Sequence, residues 1–569
     1  MEVDLVIALD IGSTYSGYAC LYRDDFINNP RNMWMNNRWG STNTTNKTTT
    51  CVLIKEADKE LVAIGDDAEM QFMELYDKNE SQHYHFFKNF KMVLYNEAFK
   101  DDEGKIGSAE DYYGIHKPIT FVMAKFIEGL KRHCLNGFKE RNLTIQETNI
   151  RWVLTVPAIW NEDAKGAMRK SAVKAGIPDS QLILALEPEA AAIHCMYLSP
   201  QEKANMDGLG IVGDKFMIVD LGGGTVDITA VEVMDDGHLR QILRANGGPW
   251  GGQRINDSFF QLVRDVFRTE DGNSAFARCT LADLLKMEQD FENQKINIRE
   301  ENQRGKEWIK LPLPDDIWDE VREKVKVNPT KYSDFFIKQR NGLAFKSKII
   351  PKELFGETIT LIVKHLQLIF HEESTQGIEK IVLVGGFAEA PIVQQKIREA
   401  LSGKRVFVPT NPLYAVLKGA VLYGHNPDIF KCRICHFTYG VETRIPFDPD
   451  RHDEKRKVRM SDGSFWCMGI FHVHVRRDQI VSLNQEQPKQ TYNPFNENQK
   501  AIGFEIYQSV LQNPTYVDDN GCKKLGTLRV EMPDTIGGWK RKADVTMIYG
   551  GTELRVKGVD TTTGKVFKT

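Results

Sequence analysis

Cysteine is scarce in this sequence, and long apolar runs are missing. Nine cysteines are spread over 569 residues, whereas a secreted scaffold held together by disulfides is shorter and much denser in cysteine. No stretch approaches the ~20 consecutive apolar residues that a membrane-spanning helix needs. The start of the chain is acidic and strand-like, without a basic segment or a cleavage site, so we expect no signal peptide. We therefore expect a cytoplasmic protein with reduced thiols and no membrane span.

An excess of charge of one sign is also missing. The chain has 74 lysines and arginines, 78 aspartates and glutamates and a net charge of −4. A protein that works by neutralising nucleic-acid phosphates is usually basic, so we expect no nucleic-acid partner. Hydrophobic residues make up 41% and charged residues 27%, a composition that excludes a wholly disordered chain, a collagen-like fibre and a coiled coil. The length corresponds to about three to four domain-sized units.

Two stretches share one pattern, in which an apolar strand ends in aspartate and a glycine-containing turn leads into a second alternating strand. Residues 5–22 contain the first, with Asp10 at the strand end, and residues 216–231 contain the second, with Asp220 there. Each stretch predicts a β-hairpin. Because an internal repeat of this kind is typical of two related lobes, we expect the two turns to face one cleft.

The two turns have the chemistry of a phosphate site. Glycines allow backbone N–H groups to approach an anion, and neighbouring hydroxyls donate further hydrogen bonds. Carboxylates at the strand ends suit a hydrated Mg²⁺ held against the phosphates. The turn after Asp10 is a weak signal, because hairpins with glycine and serine are common. The turn after Asp220 is far stronger, since three successive glycines add nothing to strand packing.

Three further segments alternate strand and helix. A strand ends at Pro157 and a helix follows over 161–175; a strand ends at Leu186 before an alanine-rich helix; a strand over 380–384 precedes the diglycine Gly385–Gly386 and a helix over 392–401. This alternation predicts an α/β fold. After about residue 430, short alternating runs between turn residues predict a small all-β domain. The charged stretch 302–348 is interpreted as an elaborated segment.

Together these segments resemble the ATPase domain of the 70-kDa heat-shock protein family, within the actin and sugar-kinase superfamily. The resemblance covers nearly the whole chain, since residues 439–443 and 558–565 look like the opening and the close of the peptide-binding β-sandwich of that family. The glycine-rich run 247–252 resembles the divergent subgroup known as heat shock 70 kDa protein 12.

The resemblance implies a two-lobed, actin-like (ribonuclease-H-like) nucleotide-binding domain followed by a small β-sandwich. The chain ends where the helical lid of the family would begin, so we expect no lid. The implied boundaries are 1–428 for the nucleotide-binding domain (lobe I about 1–210, lobe II about 211–428), 429–436 for an interdomain linker and 437–569 for the β-sandwich.

The resemblance also implies roles for matched residues. Asp10, Glu187 and Asp220 would hold or position Mg²⁺ through water, and Lys91 matches the lysine that reaches the phosphates. Lys88 stays open as an alternative to Lys91, because the alignment there is loose. The implied catalytic set is Asp10, Lys91, Glu187, Asp220, Thr225 and Asp227. The implied nucleotide-binding set is Gly12, Ser13, Thr14, Tyr15, Gly222, Gly223, Gly224, Thr225, Gly248, Glu292, Lys295, Gly385, Gly386 and Phe387.

The chain departs from the family pattern at the adenine and at the linker. Ile296 and Glu389 stand where typical members have two arginines that sandwich the adenine, and Phe387 replaces the usual serine. Because an arginine stacked on a ring contributes roughly 0.5–2 kcal/mol, we expect an intact phosphate cradle with a looser adenine pocket. In the linker, Lys431 and Arg433 interrupt the apolar run, so we expect weak coupling between nucleotide and substrate.

The expected function is that of an atypical heat-shock-70-like, chaperone-like protein of the stress response. It would bind ATP or ADP with Mg²⁺ and hydrolyse ATP slowly, coupled weakly to an exposed or extended polypeptide, with co-chaperones as further partners. The alternative is a pseudo-ATPase that recognises a partner through the β domain as a scaffold. A sugar kinase of the same superfamily is a third reading, disfavoured by the β-rich second part of the chain.

Overall fold

The computed structural model describes eleven stretches of the chain, which exclude most of the charged stretch 302–348. These are residues 3–39, 45–95, 107–143, 145–266, 279–299, 308–311, 336–339, 342–346, 351–460, 463–549 and 551–569. The chain divides into two compact units. The first combines Met1–Trp160, Gly166–Thr229 and Asn246–Asn426, and the second combines Asn161–Lys165, Ala230–Ala245 and Pro427–Thr569.

The α-helices of the described residues come before residue 426. They are α1 (Arg23–Asn28), α2 (Gly65–Asp77), α3 (Ile119–Glu140), α4 (Glu162–Lys174), α5 (Glu187–Met196), α6 (Pro200–Asn205), α7 (Gln253–Val266), α8 (Leu281–Lys295), α9 (Gly356–Ile369), α10 (Pro391–Ala400) and α11 (Ala415–His425). Within the described ranges, none of these helices combines the length and apolar character that crossing a bilayer requires.

The strands of this part of the chain alternate with those helices. They are β1 (Leu5–Ile11), β2 (Tyr15–Tyr22), β3 (Trp34–Met35), β4 (Thr48–Thr49), β5 (Cys51–Lys55), β6 (Leu61–Ile64), β7 (Tyr84–Lys88), β8 (Ser108–Glu110), β9 (His116–Pro118), β10 (Ile150–Val156), β11 (Leu182–Leu186), β12 (Lys215–Leu221), β13 (Val226–Val233), β14 (Leu239–Gly248), β15 (Trp308–Leu311), β16 (Phe336–Gln339), β17 (Gly342–Lys346), β18 (Lys380–Val384) and β19 (Arg405–Phe407).

Two sheets of the first unit carry the predicted hairpins. One has the order β11-β10-β1-β2-β3, with β4 also paired to β2, and the other contains the run β19-β18-β12-β13. Strands β1, β10 and β11 are parallel, as are β12, β18 and β19. Helices connect several of these strands, so the prediction of an α/β fold is confirmed.

The parallel pairing sets where the polar residues meet. The carboxyl ends of parallel strands share one edge of a sheet, which is where ligands bind in such folds. Asp10 near the end of β1 and Glu187 directly after β11 therefore lie at one edge. Asp220 pairs with Val384, and Gly385 follows at the corresponding edge of the other sheet.

The predicted strand–helix boundaries are also confirmed. Strand β10 ends immediately before Pro157, and α4 covers most of the predicted 161–175 helix. Gly176 has φ +82°, a conformation that glycine adopts without a Cβ clash at a helix end. Strand β18, the diglycine and α10 follow in the predicted order.

The second unit is rich in β-structure. Its strands after residue 429 are β20 (Phe430–Ile434), β21 (Thr438–Pro446), β22 (Lys457–Arg459), β23 (Phe465–Val475), β24 (Ile480–Ser482), β25 (Gln485–Glu486), β26 (Gln490–Tyr492), β27 (Ala501–Ser509), β28 (Cys522–Glu531), β29 (Ala543–Tyr549), β30 (Arg555–Asp560) and β31 (Val566–Lys568). One five-stranded sheet has the order β22-β23-β21-β27-β28, and another joins β25-β29-β30-β31 with β26 on β29. Both sheets contribute to one apolar core, including Tyr439, Phe504 and Val545.

The structure bears differently on the expected linker and on the expected elaborated segment. The segment 429–436, expected as a linker, contains β20, whose Phe430 pairs with Leu239 and whose Arg433 pairs with Val481. The expected elaborated segment 302–348 lies mostly outside the described residues, apart from the small sheet β15-β17-β16.

A buried histidine pair lies beside the core of the second unit. The hydroxyl of Tyr492 is 2.7 Å from Nδ1 of His472 and 2.9 Å from Nε2 of His474. Nδ1 of His474 is buried without a hydrogen-bond partner among the described residues. Burial, and to a lesser extent His472, lowers the pKa of His474 to about 3. A proton on this ring would therefore leave a charge and a donor unpaired in the protein interior.

Acidification should destabilise the protein through His474. The unfolded ring takes up a proton near pH 6.5 and the folded ring only near pH 3, so between these values the unfolded chain binds more protons and stability falls with falling pH. One such group contributes up to about 1.4 kcal/mol per pH unit. Urea titrations at several pH values below neutral should show a slope that His474→Gln reduces. The control His371→Gln, at an exposed site, should leave the slope unchanged; an unchanged slope for His474→Gln would contradict the assignment.

Candidate functional site

A cavity of about 680 Å³ lies in the first unit, a size typical of small-molecule and cofactor sites. Most residues predicted for the site line it. They are Asp10, Gly12, Ser13, Thr14, Tyr15, Lys91, Glu187, Asp220, Gly222, Gly223, Gly224, Thr225, Glu292, Lys295, Gly385, Gly386 and Phe387. Asp227 and Gly248 are not among the lining residues. Gly248 lies instead against Trp250, whose ring is within 3 Å of where a Cβ would stand.

The two glycine turns pack directly against each other. A Cβ built on Gly223 would lie 2.5 Å from Oγ1 of Thr14, and one on Gly224 would lie 2.3 Å from Oγ of Ser13. Contacts this short do not occur between real side chains, so any other residue would push the turns apart. Gly223 and Gly224 are thus needed for the close approach of the two turns, whereas a Cβ on Gly222 would lie 3.1 Å from the carbonyl oxygen of Thr225 in its own turn.

The start of α7 holds the second turn in place. The N–H groups of Gly251, Gly252 and Gln253 donate to the carbonyls of Gly224, Gly222 and Gly223, at 3.1, 3.0 and 2.7 Å. Because these carbonyls are occupied, the turn is left with N–H groups to offer to an anion. The sequence reasoning assigned no role to these three residues; the signal was the glycine-rich run 247–252.

Thr50 braces the first turn. Its Oγ1 donates to the carbonyl of Gly12 at 2.9 Å, and its N–H donates to the carbonyl of Thr14 at 2.8 Å. Its Oγ1 is also 2.7 Å from Oγ of Ser16. The first turn thus also presents N–H groups, with its carbonyls held from behind. Thr50 stands among many polar residues in the sequence, and nothing there distinguished it.

Asp10 is held by two partners that the sequence did not indicate. Its Oδ2 accepts from Nζ of Lys47 at 2.6 Å and its Oδ1 accepts from Oγ1 of Thr155 at 2.7 Å. Burial alone would raise the pKa of Asp10, but Lys47, helped by Lys91 and Thr155, holds it below its ordinary value. Asp10 is therefore an ionised carboxylate that is neutralised by a lysine.

Lys91 and Glu187 form the second ion pair of the cavity. Nζ of Lys91 is 2.6 Å from Oε1 of Glu187, and both side chains are buried. Burial, together with the neighbouring Asp227 and Asp10, raises the pKa of Glu187 to about 7, although Lys91 opposes the shift. Glu187 is thus able to hold or release a proton near neutral pH.

Lys88, the alternative to Lys91, has other partners. Its Nζ lies 2.9 Å from Oε1 of Glu69 and 2.7 Å from Oε2 of Glu288. Lys88 does not line the cavity, whereas Lys91 does. Of the two lysines, only Lys91 is positioned to reach a ligand there.

Asp220 and Asp227 are buried carboxylates with little compensation. Burial, then Glu187, Asp227 and Asp10, raises the pKa of Asp220 well above its ordinary value, and burial also raises the pKa of Asp227. Oδ1 of Asp227 accepts from the N–H groups of Ala158 and Ile159 at 2.8 and 3.2 Å, while its Oδ2 is buried without a partner in the described structure.

These carboxylates suit a hydrated cation better than a directly bound one. Within the described ranges, no three His, Cys, Asp or Glu side chains are close enough to bind a metal directly. Asp220, which lines the cavity without a counter-ion of its own, is an acceptor for metal-bound water, and Mg²⁺ usually keeps several waters. The donor set therefore fits the Mg²⁺ expected from the sequence, held through water.

The far end of the cavity combines one polar cluster with an apolar wall. Nζ of Lys295 donates to Oε1 of Glu292 at 2.7 Å, to Oδ1 of Asn256 at 2.9 Å and to the carbonyl of Gly252 at 3.1 Å. Phe387 is only 4% exposed, and its ring lies 3.4 Å from where a Cβ of Gly252 would stand. Other lining residues that the sequence did not indicate as ligand contacts are Gln289, Asn293, Leu413, Tyr414 and Val416.

The two substituted positions of the expected adenine pocket also line this end. Ile296 and Glu389 are part of the cavity wall, and burial raises the pKa of Glu389. Phe387 packs near Phe355, with ring centres 6.3 Å apart and planes 20° apart. Most of the Phe387 ring is thus already covered, which leaves little of its face to a ligand.

Comparison with known proteins gives relatives over nearly the full chain. In alignments 626 positions long, this chain is 28% identical to heat shock 70 kDa protein 12A of Mus musculus and 29% identical to that of Homo sapiens. It is 29% identical over 630 positions to heat shock 70 kDa protein 12B of Homo sapiens. Each alignment covers 99% of this chain and 90% of the relative. No protein-family model matches the chain.

These relatives match the resemblance found in the motifs, both in family and in subgroup. The alignments include both glycine turns and continue through the β-rich second unit, since they cover 99% of the chain. Along nearly its whole length, this chain is therefore a homologue of the divergent heat shock 70 kDa protein 12 subgroup of the heat shock 70 family.

Proposed function

We propose that this chain binds ATP or ADP with Mg²⁺ in the cavity and hydrolyses ATP slowly. Nucleotide state would modulate, weakly, the binding of an exposed or extended polypeptide by the β-rich second unit, in a chaperone-like role in the cytoplasm with co-chaperones as partners. The observation that carries the proposal is the pair of turns in contact, with Gly223 against Thr14 and Gly224 against Ser13. Each turn follows a strand-end aspartate, as a clamp on a polyphosphate requires.

The charged groups of the cavity would have separate roles in binding and in hydrolysis. Mg²⁺, when bound, would supply positive charge against the phosphate oxygens. Lys91 is buried beside Glu187 and would contact the phosphates as a fixed ammonium. Glu187, with a pKa of about 7, would orient a water and exchange a proton with it. Catalysis of this kind depends on positioning and electrostatic stabilisation rather than on a covalent intermediate.

Replacing Asp220 should weaken the binding of Mg-ATP without lowering the stability of the fold. Because the pKa of Asp220 is raised well above its ordinary value, the folded protein disfavours the ionised carboxylate, so Asp220→Asn should leave the melting temperature unchanged or raise it. Removal of a charged acceptor should weaken Mg-ATP binding by about tenfold or more. Calorimetric titration with Mg-ATP, together with thermal unfolding, measures both quantities.

Asp214→Asn is the matched control for that experiment. Asp214 also has a largely buried side chain, but it pairs with Lys380 at 2.9 Å and does not line the cavity. This variant should lose stability and keep its affinity for Mg-ATP. Wild-type affinity in Asp220→Asn would mean that the cavity is misassigned, and wild-type protein that binds no nucleotide would overturn the proposed function. Single-turnover hydrolysis on the same sample then tests catalysis.

The two candidate lysines allow a matched pair of variants. Lys91→Met should weaken ATP binding by about tenfold or more, because it removes a charge that contacts the phosphates. Lys88→Met should leave the affinity within about threefold of wild type but lower the stability by about 3 kcal/mol, since the buried Glu69 and the partly buried Glu288 lose their partner. Titration with ATP and urea unfolding of both variants test this, and the reverse pattern would assign the phosphate lysine to Lys88.

The nucleoside end should discriminate bases poorly. Ile296 and Glu389 are in the wall, and the described lining residues include no arginine. The affinity for GTP should therefore lie within about tenfold of that for ATP, because an apolar wall separates similar ligands weakly. Ile296→Arg should strengthen ATP binding about two- to thirtyfold by stacking on the ring. Ile296→Lys, which adds the charge without the planar group, is the control. Competition binding measures all three proteins, and a preference for ATP above about a hundredfold in wild type would contradict the expectation.

A further inference from the structure

Lys47 is a buried cation for which the resemblance to the family implies no role. Its Nζ is 2.6 Å from Oδ2 of Asp10, and the side chains are 8% and 7% exposed. Lys47 lines the same cavity as both glycine turns. It also opposes the rise in the pKa that burial causes at Glu389 and at Asp220, so its charge acts across much of the site.

The sheet is built so that Lys47 reaches Asp10. Asp10 in β1 pairs with Gly17 in β2, and on the other side of β2, Ser16 pairs with Thr48, the residue after Lys47. Asp10 and Lys47 therefore stand two strands apart, about 9–10 Å between backbones. The lysine side chain crosses over the residue between them.

Gly17 is what leaves room for that crossing. A Cβ on Gly17 would lie 3.1 Å from Cγ of Lys47 and 2.8 Å from the carbonyl oxygen of Asn46. Any larger residue would displace the lysine stem and the strand that carries it. The backbone around Lys47 is fixed as well, because its carbonyl accepts from Oγ1 of Thr45 at 2.5 Å. The contact is thus set by the backbone and does not depend on a free surface rotamer.

Lys47 occupies the carboxylate of Asp10, which the resemblance implies would hold a hydrated Mg²⁺. Oδ2 of Asp10 already accepts from the ammonium of Lys47, and Oδ1 already accepts from Thr155. A buried carboxylate and a cation at this distance attract each other strongly, and a metal has to compete with the lysine for Asp10. A lysine displaced from Asp10 would remain inside the cavity, next to the turns that would bind phosphate.

We propose that Lys47 is a built-in counter-ion of the phosphate site. It neutralises Asp10 when no metal is bound, and it contacts the phosphates when a hydrated Mg²⁺ takes Asp10. This inference rests on the proposed function, and it adds that nucleotide binding depends only weakly on the divalent cation, because the protein supplies part of the positive charge itself.

The first test compares nucleotide binding with and without Mg²⁺. In calorimetric titrations with ADP and ATP, wild-type affinity in EDTA should lie within about tenfold of that in Mg²⁺, whereas Lys47→Met should widen this ratio by at least about tenfold. Lys380→Met, which breaks an equally buried ion pair with Asp214 outside the cavity, should keep the wild-type ratio. If Lys47→Met weakens binding equally under both conditions, or not at all, the inference is overturned.

The second test needs no nucleotide. With Lys47 removed, Asp10 is free for a metal, so Mg²⁺ alone should raise the melting temperature of Lys47→Met more than that of wild type or of Lys380→Met. An equal shift in all three proteins would overturn the competition between Lys47 and the metal. Should Lys47→Met fail to fold, Lys47→Gln, which keeps a donor for Asp10 but not the charge, replaces it in both tests. Wild-type protein that binds neither nucleotide would overturn the proposed function, and the Mg²⁺ shift would still decide the competition.

Discussion

The burial of four carboxylates around one cavity is the constraint on which the rest of the site depends. They are Asp10, Glu187, Asp220 and Asp227. Burying a charge without a partner is costly, so such a group is paired, hydrogen-bonded or protonated. The four groups differ in how their charge is compensated. Lys47 neutralises Asp10, two backbone N–H groups hold Asp227, and Lys91 pairs with Glu187. Burial raises the pKa of Glu187 and of Asp220, so the folded protein disfavours their ionised forms. The negative charge that the lysines leave uncompensated favours the binding of a cation.

The backbone responds to a second constraint, the close contact of the two turns. Gly223 and Gly224 leave no space for a Cβ because the other turn is already there. Gly251 is subject to the same limit from behind, since a Cβ there would lie 2.4 Å from the carbonyl oxygen of Gly223. The second turn is therefore enclosed between the first turn and α7. A site enclosed in this way is organised before the ligand arrives, which reduces the entropy lost on binding.

Much of this arrangement was predictable because it follows from local pattern. The hairpins, the strand before Pro157 and the diglycine turn each carry their own sequence signal, and parallel pairing then places their ends together. The contacts of Lys47 and Thr155 with Asp10 were not predictable. Both residues lie on other strands, far from Asp10 in the sequence, and only the folded sheet brings them to it. The relation that would have revealed Lys47 is its register opposite Gly17, and register between strands is a property of the folded sheet. The sequence left Lys88 open beside Lys91 for the same reason, since the positions of the two lysines depend on glutamates contributed by other elements.

The segment 429–436, expected as a linker, contains a strand that is paired on both sides. Lys431 and Arg433 interrupt its apolar run, from which we expect weak coupling between nucleotide and substrate. In the second unit, β20 pairs with β14 through Phe430 and with β24 through Arg433. Arg433 is buried, with its guanidinium 5.2 Å from the ring centre of Phe430, so its cation packs within the unit. A strand hydrogen-bonded on both sides changes state only by breaking ladder bonds or by moving with its sheet. A conformational change of this segment would therefore have to break the pairing of β20 with β14 or β24, or move these strands together.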